Sequence, residues 1–278
     1  GNGPCDCRRD DAVTEHGERQ ESGAVVGRGT ATDTAIADWS DRVVAYRGYD
    51  VLDLVRESTF TEVAFLLLCG DLPDDVFLAD FRATLAESSE GEGWDGELSW
   101  MSELLDRLPL SVPLSDILRT AISAVSHFDP QPSDRSVEAD RSRSIRLLGR
   151  VPMLVAGRLA LSRGETRIEP DSERSFPAQL VALLTGRVPS PLLERAVDVL
   201  LISVIDVGFS PAVQAARLAA AAGADIHGAV LAAASVESTA ERAGLAARLV
   251  ELWSERPWED DAEGWVLERL DAGLGVPG

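Results

Sequence analysis

After residue 50 the chain is a succession of helical segments separated by glycine and proline, and this pattern constrains the fold more than any other feature. The clearest segment is Phe60–Cys69. Thr59 and Glu62 have the spacing of a capping box at its start, and Gly70 follows its last residue. Alternating strand–helix units and a glycine-rich phosphate loop are missing from the sequence, which argues against a nucleotide-binding α/β fold. The pattern predicts an all-α, multihelical fold.

Apolar periodicity, together with glycine or proline at the ends, predicts the remaining helices. In chain order these are 74–88, 98–108, 113–128, 145–161 with Pro152 inside it, 176–185, 191–207, 211–222, 224–236, 240–253 and 259–270. The segment 129–142 is rich in Pro, Ser, Asp and Arg and is predicted to be a loop. Residues 25–49 carry β-favouring side chains around a predicted turn at 38–41, so we expect a small N-terminal β-hairpin. The polar residues 1–24 are predicted to be a disordered leader.

Acidic residues outnumber basic residues along the whole chain. There are 47 Asp and Glu against 26 basic residues, the net charge is -21, and every basic residue is arginine. Such a surface repels nucleic-acid phosphates and anionic membranes, so neither is expected as a partner. It also repels itself unless salt screens it, with a Debye length of about 3 Å at 1 M. We therefore expect a cytoplasmic protein from a salt-rich cytosol; the alternative is a GC-rich genome that favours arginine codons.

Cysteine and histidine are too few and too scattered to indicate a disulfide framework or a zinc site. Cys5 and Cys7 lie in the leader with His16 nearby, and Cys69 lies in a predicted helix. We therefore expect neither a metal site nor a bound cofactor. No apolar run reaches the roughly 18 residues of a membrane span, and the beginning of the chain does not have the pattern of a signal peptide.

Several short motifs follow one another in order along the chain. They read Tyr-Arg-Gly-Tyr-Asp at 46–50, Val-Leu-Asp-Leu at 51–54, Thr-Phe-Thr-Glu-Val-Ala-Phe-Leu-Leu-Leu at 59–68, Gly-Asp-Leu-Pro at 70–73, Leu-Arg-Thr-Ala-Ile-Ser at 118–123, Val-Pro at 151–152 with Ala156, and Leu-Leu-Thr-Gly at 183–186. In this order they resemble the citrate and 2-methylcitrate synthase family, and the resemblance extends over residues 25–253.

The resemblance implies a fold, a reaction and an assembly. The fold is the multihelical large domain of that family, over residues 25–278. The reaction joins the methyl carbon of an acyl-CoA to a 2-oxo acid: a carboxylate removes a proton, histidines polarise the carbonyls, and arginines help to hold the dicarboxylate. Acyl-CoA would be a co-substrate only if the chain is active. Family members dimerise through large-domain helices like those at 176–236, so we expect a homodimer or a heterodimer with a family homologue.

The same resemblance identifies positions where this chain departs from the family's substrate-binding loop. The family's His-x-Asp-His-Glu-x-Asn segment corresponds to residues 204–210, in a register fixed by the Ala-Ala-Arg motif that follows. In that register Val204 and Val207 replace the two histidines. Valine neither donates a hydrogen bond nor carries charge. Asp206 and Ser210 remain as the candidate substrate-binding residues.

The family's second histidine motif, Gly-Pro-Leu-His-Gly-Gly, corresponds to residues 239–245 in the same register, with Arg242 at the histidine. An arginine stays protonated near neutral pH, although it can bind an oxyanion. A rival register matches this motif to residues 225–229 and makes His227 the counterpart, but it requires deleting about four helical turns. His227 and Arg242 are therefore the catalytic candidates, and the alternative for His227 is a structural role.

The family's smaller domain, which brings a further histidine and the catalytic aspartate, has no counterpart in residues 254–278. From these departures we expect a citrate-synthase-like protein without the family's reaction, either inactive or a non-catalytic partner subunit. The enzyme alternative is a divergent acyltransferase or CoA-ester lyase that uses Arg242 and Ser210 to hold anions and His227 as acid or base. A decaying gene product is the third possibility.

Overall fold

The computed structural model describes residues 34–39, 44–90, 99–206, 208 and 210–237. Within these ranges the chain is mostly helical, with a small sheet before the first helix, so the predicted all-α class is confirmed. None of the described helices is both long enough and apolar enough to cross a membrane. The predicted leader at 1–24 and the predicted helices at 240–253 and 259–270 lie outside the described residues.

Ten helices make up the described fold. They are α1 (Val51–Glu57), α2 (Phe60–Cys69), α3 (Asp75–Glu90), α4 (Ser99–Arg107), α5 (Leu114–Val125), α6 (Val137–Arg163), α7 (Phe176–Thr185), α8 (Pro191–Val204), α9 (Pro211–Ala221) and α10 (Ile226–Glu237). A short 3₁₀ turn, Ser126–Phe128, extends α5. The predicted bounds of α2 and α7 agree with the structure, α1 was not predicted, and α8 ends three residues before its predicted end.

The N-terminal sheet has three antiparallel strands in the order β1-β2-β3. They are β1 (Ala37–Trp39), β2 (Val44–Tyr46) and β3 (Tyr49–Asp50). Arg47 and Gly48 connect β2 to β3 with φ of 52° and 90°, the left-handed conformations that a two-residue hairpin turn requires. The predicted turn at 38–41 is partly wrong, because β1 continues to Trp39; residues 40–43 lie outside the described ranges.

The start of α6 also differs from the prediction. The segment 129–142 was expected to be a loop, yet the helix begins at Val137. Ser136 caps it, its Oγ accepting a hydrogen bond from the Ala139 amide at 3.2 Å. Arg143, in the second turn, is fully buried and pairs with Asp129 on the preceding segment. The buried residues of these first two turns are Ala139 and the charged Arg143, and apolar periodicity does not detect a buried face that contains an arginine.

Two apolar clusters form the described core. The first unites α2 and α3 with β2 and α8 around Tyr46, Leu54, Val63, Leu66, Phe81, Ile145 and Ile202. The second unites α4, α5 and α7 around Met101, Leu105, Ile117, Val125, Leu154 and Leu183. Helix α6 contributes Ile145 to the first and Leu154 to the second, so this helix joins the two halves.

Arginine side chains satisfy many of the carbonyls at helix C-termini. Arg141, Arg158, Arg163 and Arg195 donate to carbonyls at the ends of α2, α4, α7 and α1, respectively. The last carbonyls of a helix lack intrahelical partners, and the planar guanidinium carries several donors in a fixed geometry. The arginine-only composition therefore has a clear structural use in this fold.

Candidate functional site

The loop between α8 and α9 carries the candidate substrate-binding residues, and both Asp206 and Ser210 accept hydrogen bonds from nearby backbone amides. Asp206 Oδ1 accepts a hydrogen bond from the Gly208 amide at 2.8 Å. Ser210 Oγ accepts one from the Val213 amide at 3.3 Å, which makes Ser210 the N-cap of α9. Val204 is the last residue of α8 and is 49% exposed. The loop thus has its own hydrogen bonds without a ligand.

Tyr46, at the end of β2, contacts this loop. From the sequence it was not identified as a site residue. Its hydroxyl donates to the carbonyl oxygen of Asp206 at 3.3 Å, and its side chain is fully buried. Burial raises the pKa of Tyr46, so the phenol stays protonated and remains a donor. Tyr46 belongs to the Tyr-Arg-Gly-Tyr motif, but in the sequence this motif indicated only the family resemblance and did not predict a contact with residue 206.

A small cavity of about 310 Å³ lies beside this loop. Residues 34–36 form one wall, and Asp206, Gly208, Val213 and Arg217 form the rest. One carboxylate and one guanidinium are therefore the ionisable groups that line it, and no described imidazole does. A guanidinium can hold an anion, but the described lining offers no imidazole to polarise a bound carbonyl.

His227 lies in a different environment from Asp206. It is the second residue of α10, is 2% exposed, and its Nδ1 has no hydrogen-bond partner in the described part of the chain. Burial lowers the pKa of His227, against the opposing effect of the nearby Asp225. His227 does not line the cavity beside Asp206. The structure therefore does not bring these two candidates together.

A buried ion cluster lies close enough to His227 to influence its charge. Arg143 donates to Asp129 and, at 2.9 Å, to Asp140, and Arg146 lies 3.2 Å from Asp129. Burial is the largest single effect and raises the pKa of Asp129, but the hydrogen bonds from Arg143 and the Gln131 amide, together with the charges of Arg143 and Arg146, outweigh it and the pKa is lowered. This cluster joins the segment before α6 to its first turns. Its ion pairs give it a structural role.

The remaining candidates, Val207 and Arg242, lie outside the described residues, so they stay predictions. No group of three or more His, Cys, Asp or Glu side chains within the described ranges is arranged to hold a metal ion. A second and larger cavity, of about 570 Å³, lies where α2, α7 and α8 begin. None of the candidates inferred from the sequence lines it, among those that the structure describes.

Comparison with known proteins gives a consistent picture. A family model described as citrate synthase, C-terminal domain, matches residues 27–278. The 2-methylcitrate synthase of Shewanella oneidensis is 29% identical over 231 residues, which are 82% of this chain and 59% of that protein. The citrate synthase of Haloferax volcanii is 28% identical over 243 residues, 84% of this chain and 62% of that protein. The chain thus spans about three-fifths of the length of these relatives.

The fold resembles a solved citrate synthase as well. The crystal structure of the enzyme from Pyrobaculum aerophilum superposes with a TM-score of 0.72 at 24% identity, covering 80% of this chain and 56% of that one. At this level of identity the likeness concerns the arrangement of helices and not the chemistry of the site.

Proposed function

The chain belongs to the citrate synthase family, and from that premise we propose that it is a member without the family's condensation of an acyl-CoA with a 2-oxo acid. The observation that carries the proposal is Val204. In the family register an imidazole would stand there, and here an exposed valine ends α8 beside the candidate substrate loop. An apolar side chain offers neither the donor nor the positive charge that a dicarboxylate needs.

The other groups near Val204 support the same proposal. Asp206 corresponds to the aspartate of the family motif, and its carboxylate already accepts from the Gly208 amide. Ser210 is engaged as the cap of α9. Among the described residues, Arg217 is the cation that lines the adjoining cavity, and at position 204 the loop lacks the imidazole that the family register places beside it. We also propose that residues 25–278 constitute the helical large domain of the family fold.

The enzyme alternative, an acyltransferase or CoA-ester lyase with altered residues, receives no support from the described residues. It needs Arg242 and Ser210 to hold anions and His227 to exchange a proton, and Arg242 lies outside the described residues. Ser210 is the cap of α9, and His227 is buried among the ion pairs of α6. A buried, desolvated imidazole away from the cavity cannot reach a substrate that binds beside Asp206.

An activity assay tests the proposal directly. The purified chain is mixed with acetyl-, propionyl- or malonyl-CoA and oxaloacetate in about 2 M KCl, and free thiol is measured over time. The citrate synthase of Haloferax volcanii, assayed in the same buffer, is the positive control. We expect no thiol release above the rate of hydrolysis without protein. Release that depends on both substrates would contradict the proposal.

A non-catalytic role requires a partner, and we propose that α8 supplies the contact surface for a second copy of the chain. Leu193, Leu200 and Val204 lie along one side of this helix and are 46%, 46% and 49% exposed. Their spacing of seven and four residues places them on a single face. An exposed apolar stripe of this kind is typical of a protein–protein contact. With a net charge of -21, association should require salt.

Mass measurement by light scattering tests this assembly in about 2 M KCl. We expect a dimer for the wild-type chain and a monomer for Leu200→Glu, because a carboxylate in the centre of the stripe cannot be buried. Leu52→Glu is the matched control, since Leu52 is 61% exposed on α1 and should not affect the mass. A monomeric wild-type chain that also fails to bind a family homologue would remove the partner proposal.

A further inference from the structure

The larger cavity is a separate feature from the loop that carries the candidate substrate residues. Its volume of about 570 Å³ lies within the usual range for sites that bind small molecules. Its walls come from the first turns of α2, α7 and α8, from the segment 171–175 and from one side of α3. Ala86, Phe176 and Pro191 give it an apolar surface, and each of these residues keeps part of its surface accessible. A ligand in the cavity can therefore contact them.

Four of the charged residues that line the cavity pair with each other. Asp198 accepts from Arg195 at 2.6 Å, and Arg174 lies 3.0 Å from Asp171. Asp198 also accepts from the Phe60 amide at 2.8 Å, so both of its oxygens have partners. Each pair is neutral as a whole, and its charges are used within the protein.

Arg82, on α3, is the remaining cation among the described residues that line the cavity. It is exposed, and it makes no hydrogen bond or ion pair with any part of the chain that the structure describes. Ala86 follows it by four positions, so the two side chains lie on one face of the helix. The guanidinium therefore offers unused donors to an anionic group beside an apolar surface.

Glu194, in the first turn of α8, is the matching carboxylate on another wall of the cavity. Its Oε1 accepts from the Ser175 hydroxyl at 2.5 Å, which orients the side chain. Its Oε2 has no hydrogen-bond partner within the described ranges, and the residue is only half-buried. Glu173 also lines the cavity but is exposed, so solvent screens its charge more strongly. One accessible cation and one oriented, accessible carboxylate thus remain on different elements.

We propose that this cavity binds a small zwitterion whose carboxylate and ammonium groups are separated by an apolar chain, with the carboxylate paired to Arg82 and the ammonium to Glu194. The apolar chain contacts Ala86 and Phe176. Both groups of such a ligand are charged at neutral pH, because their pKa values are about 4 and about 10. A ligand with a single charge leaves either Arg82 or Glu194 without a partner, so the cavity favours the zwitterion.

The matched probes for this site are 6-aminohexanoate, hexanoate and hexylamine, which share the length of the carbon chain and differ in their charged groups. Binding to the full chain is followed by protein-observed NMR in about 0.5 M KCl, because ion pairs are screened more strongly at higher salt. The backbone amides of Ala86 and Phe176 report on the cavity. Only their shifts are used, since a net charge of -21 attracts hexylamine to the whole surface.

We expect 6-aminohexanoate to bind with a dissociation constant on the order of 1 mM, typical of so small a ligand. Hexanoate and hexylamine should each bind about fivefold more weakly, as expected for the loss of one accessible ion pair.

Arg82→Gln removes the cation at an exposed position and should leave the fold unchanged. We expect it to bind 6-aminohexanoate about fivefold more weakly and hexylamine with the wild-type affinity, because only the carboxylate loses its partner. Glu194→Gln should likewise weaken the binding of 6-aminohexanoate and leave that of hexanoate unchanged, while its amide oxygen can still accept from Ser175. Arg107→Gln is the control, an equal change of charge at the exposed end of α4, and should leave every affinity within about twofold.

The proposal is overturned if 6-aminohexanoate shows no saturable binding, if either singly charged probe binds equally well, or if Arg82→Gln or Glu194→Gln retains the wild-type affinity for 6-aminohexanoate. None of these results bears on the condensation assay.

Discussion

Arg158 illustrates what arginine does in a chain without lysine. Its side chain is 3% exposed and donates to the carbonyls of Leu105, Leu108 and Pro109, at the end of α4. One guanidinium thus satisfies three acceptors on a segment about 50 positions away in the sequence. An ammonium group is a compact point charge and does not reproduce that planar arrangement.

We therefore predict that Arg158→Lys lowers the free energy of unfolding by about 1–3 kcal/mol, the cost of a buried carbonyl left without a donor. Urea titration at constant salt measures the change. Arg56→Lys is the control, because Arg56 is exposed and its ion pair within the described ranges is with Asp53 on its own helix, and it should cost less than about 0.5 kcal/mol. Equal effects of the two substitutions would show that the three carbonyls do not matter.

His227 makes a testable contribution to the pH dependence of stability. The imidazole in the unfolded chain binds a proton near pH 6.5, whereas burial lowers the pKa of His227 in the folded chain. At a pH between the pKa of the folded chain and that of the unfolded chain, the unfolded state binds more protons than the folded state. The stability is therefore fully present above about pH 6.5 and is lost as the pH falls through the folded pKa.

His227→Gln removes the titrating group and should flatten this dependence between about pH 7.5 and pH 5.5. Urea unfolding of both proteins across this range gives the comparison, and the difference in slope cannot exceed about 1.4 kcal/mol per pH unit for one group. Asp225, Asp129, Arg143 and Arg146 face the imidazole and are present in both proteins. If the variant has the same slope as the wild type, the pH dependence of stability arises from those charged groups and not from His227.

At the residue scale, local patterns could be predicted and long-range contacts could not. The capping box of Thr59 and Glu62 is local, and the structure has it as predicted. The contact of Tyr46 with Asp206 joins positions 160 apart, and the burial of His227 against the cluster around Arg143 is equally non-local. No spacing rule encodes such contacts.

Among the elements, α6 shows most clearly where sequence reasoning stops. The sequence predicted residues 145–161 as a helix, but residues 137–142 were assigned to a loop because the segment 129–142 is rich in Pro, Ser, Asp and Arg. The buried pair of Arg143 with Asp129 explains the difference. Polar residues form a buried helix face when their charges find partners in the tertiary structure.

The packing of α6 on α3 depends on a glycine. A Cβ atom added at Gly149 would lie 3.0 Å from the Ser88 Cβ and 3.1 Å from the Leu85 carbonyl oxygen. Gly→Ala within a helix ordinarily stabilises by about 1 kcal/mol. Here we predict that Gly149→Ala destabilises by about 1–3 kcal/mol, as expected for overpacking.

In a protein that already carries Ser88→Gly, the substitution Gly149→Ala should lower the free energy of unfolding by less than it does in the wild type. The Ser88 Cβ, which is the nearer obstacle, is then gone, whereas the Leu85 carbonyl remains. The four proteins of this double-mutant cycle are compared by urea unfolding. Simple additivity of the two substitutions would mean that the helices separate freely at this point.

The charge of the whole molecule leads to a further prediction. Forty-seven acidic residues and a net charge of -21 create self-repulsion at low salt. We predict that the urea midpoint rises as KCl increases from about 0.1 M to about 2 M, because the Debye length shortens from about 10 Å toward 3 Å or less. A midpoint that is unchanged or lower in high salt would favour codon bias over adaptation to a salt-rich cytosol.

Over the whole molecule, the fold class could be predicted more completely than the site. Helical periodicity and ordered motifs sufficed for the all-α class and for the family. The surroundings of the loop between α8 and α9 depend on long-range contacts, which are the hydrogen bond from Tyr46 to Asp206 and the cavity wall formed by residues 34–36, and no local pattern in the sequence encodes them.

We propose that Val204 leaves the loop between α8 and α9 unable to hold a 2-oxo dicarboxylate. Calorimetric titration of the chain with oxaloacetate in about 2 M KCl measures this property without the complication of turnover. We expect no saturable binding up to about 10 mM. Saturable binding that Val204→Glu abolishes would place the ligand against that valine and contradict the proposal.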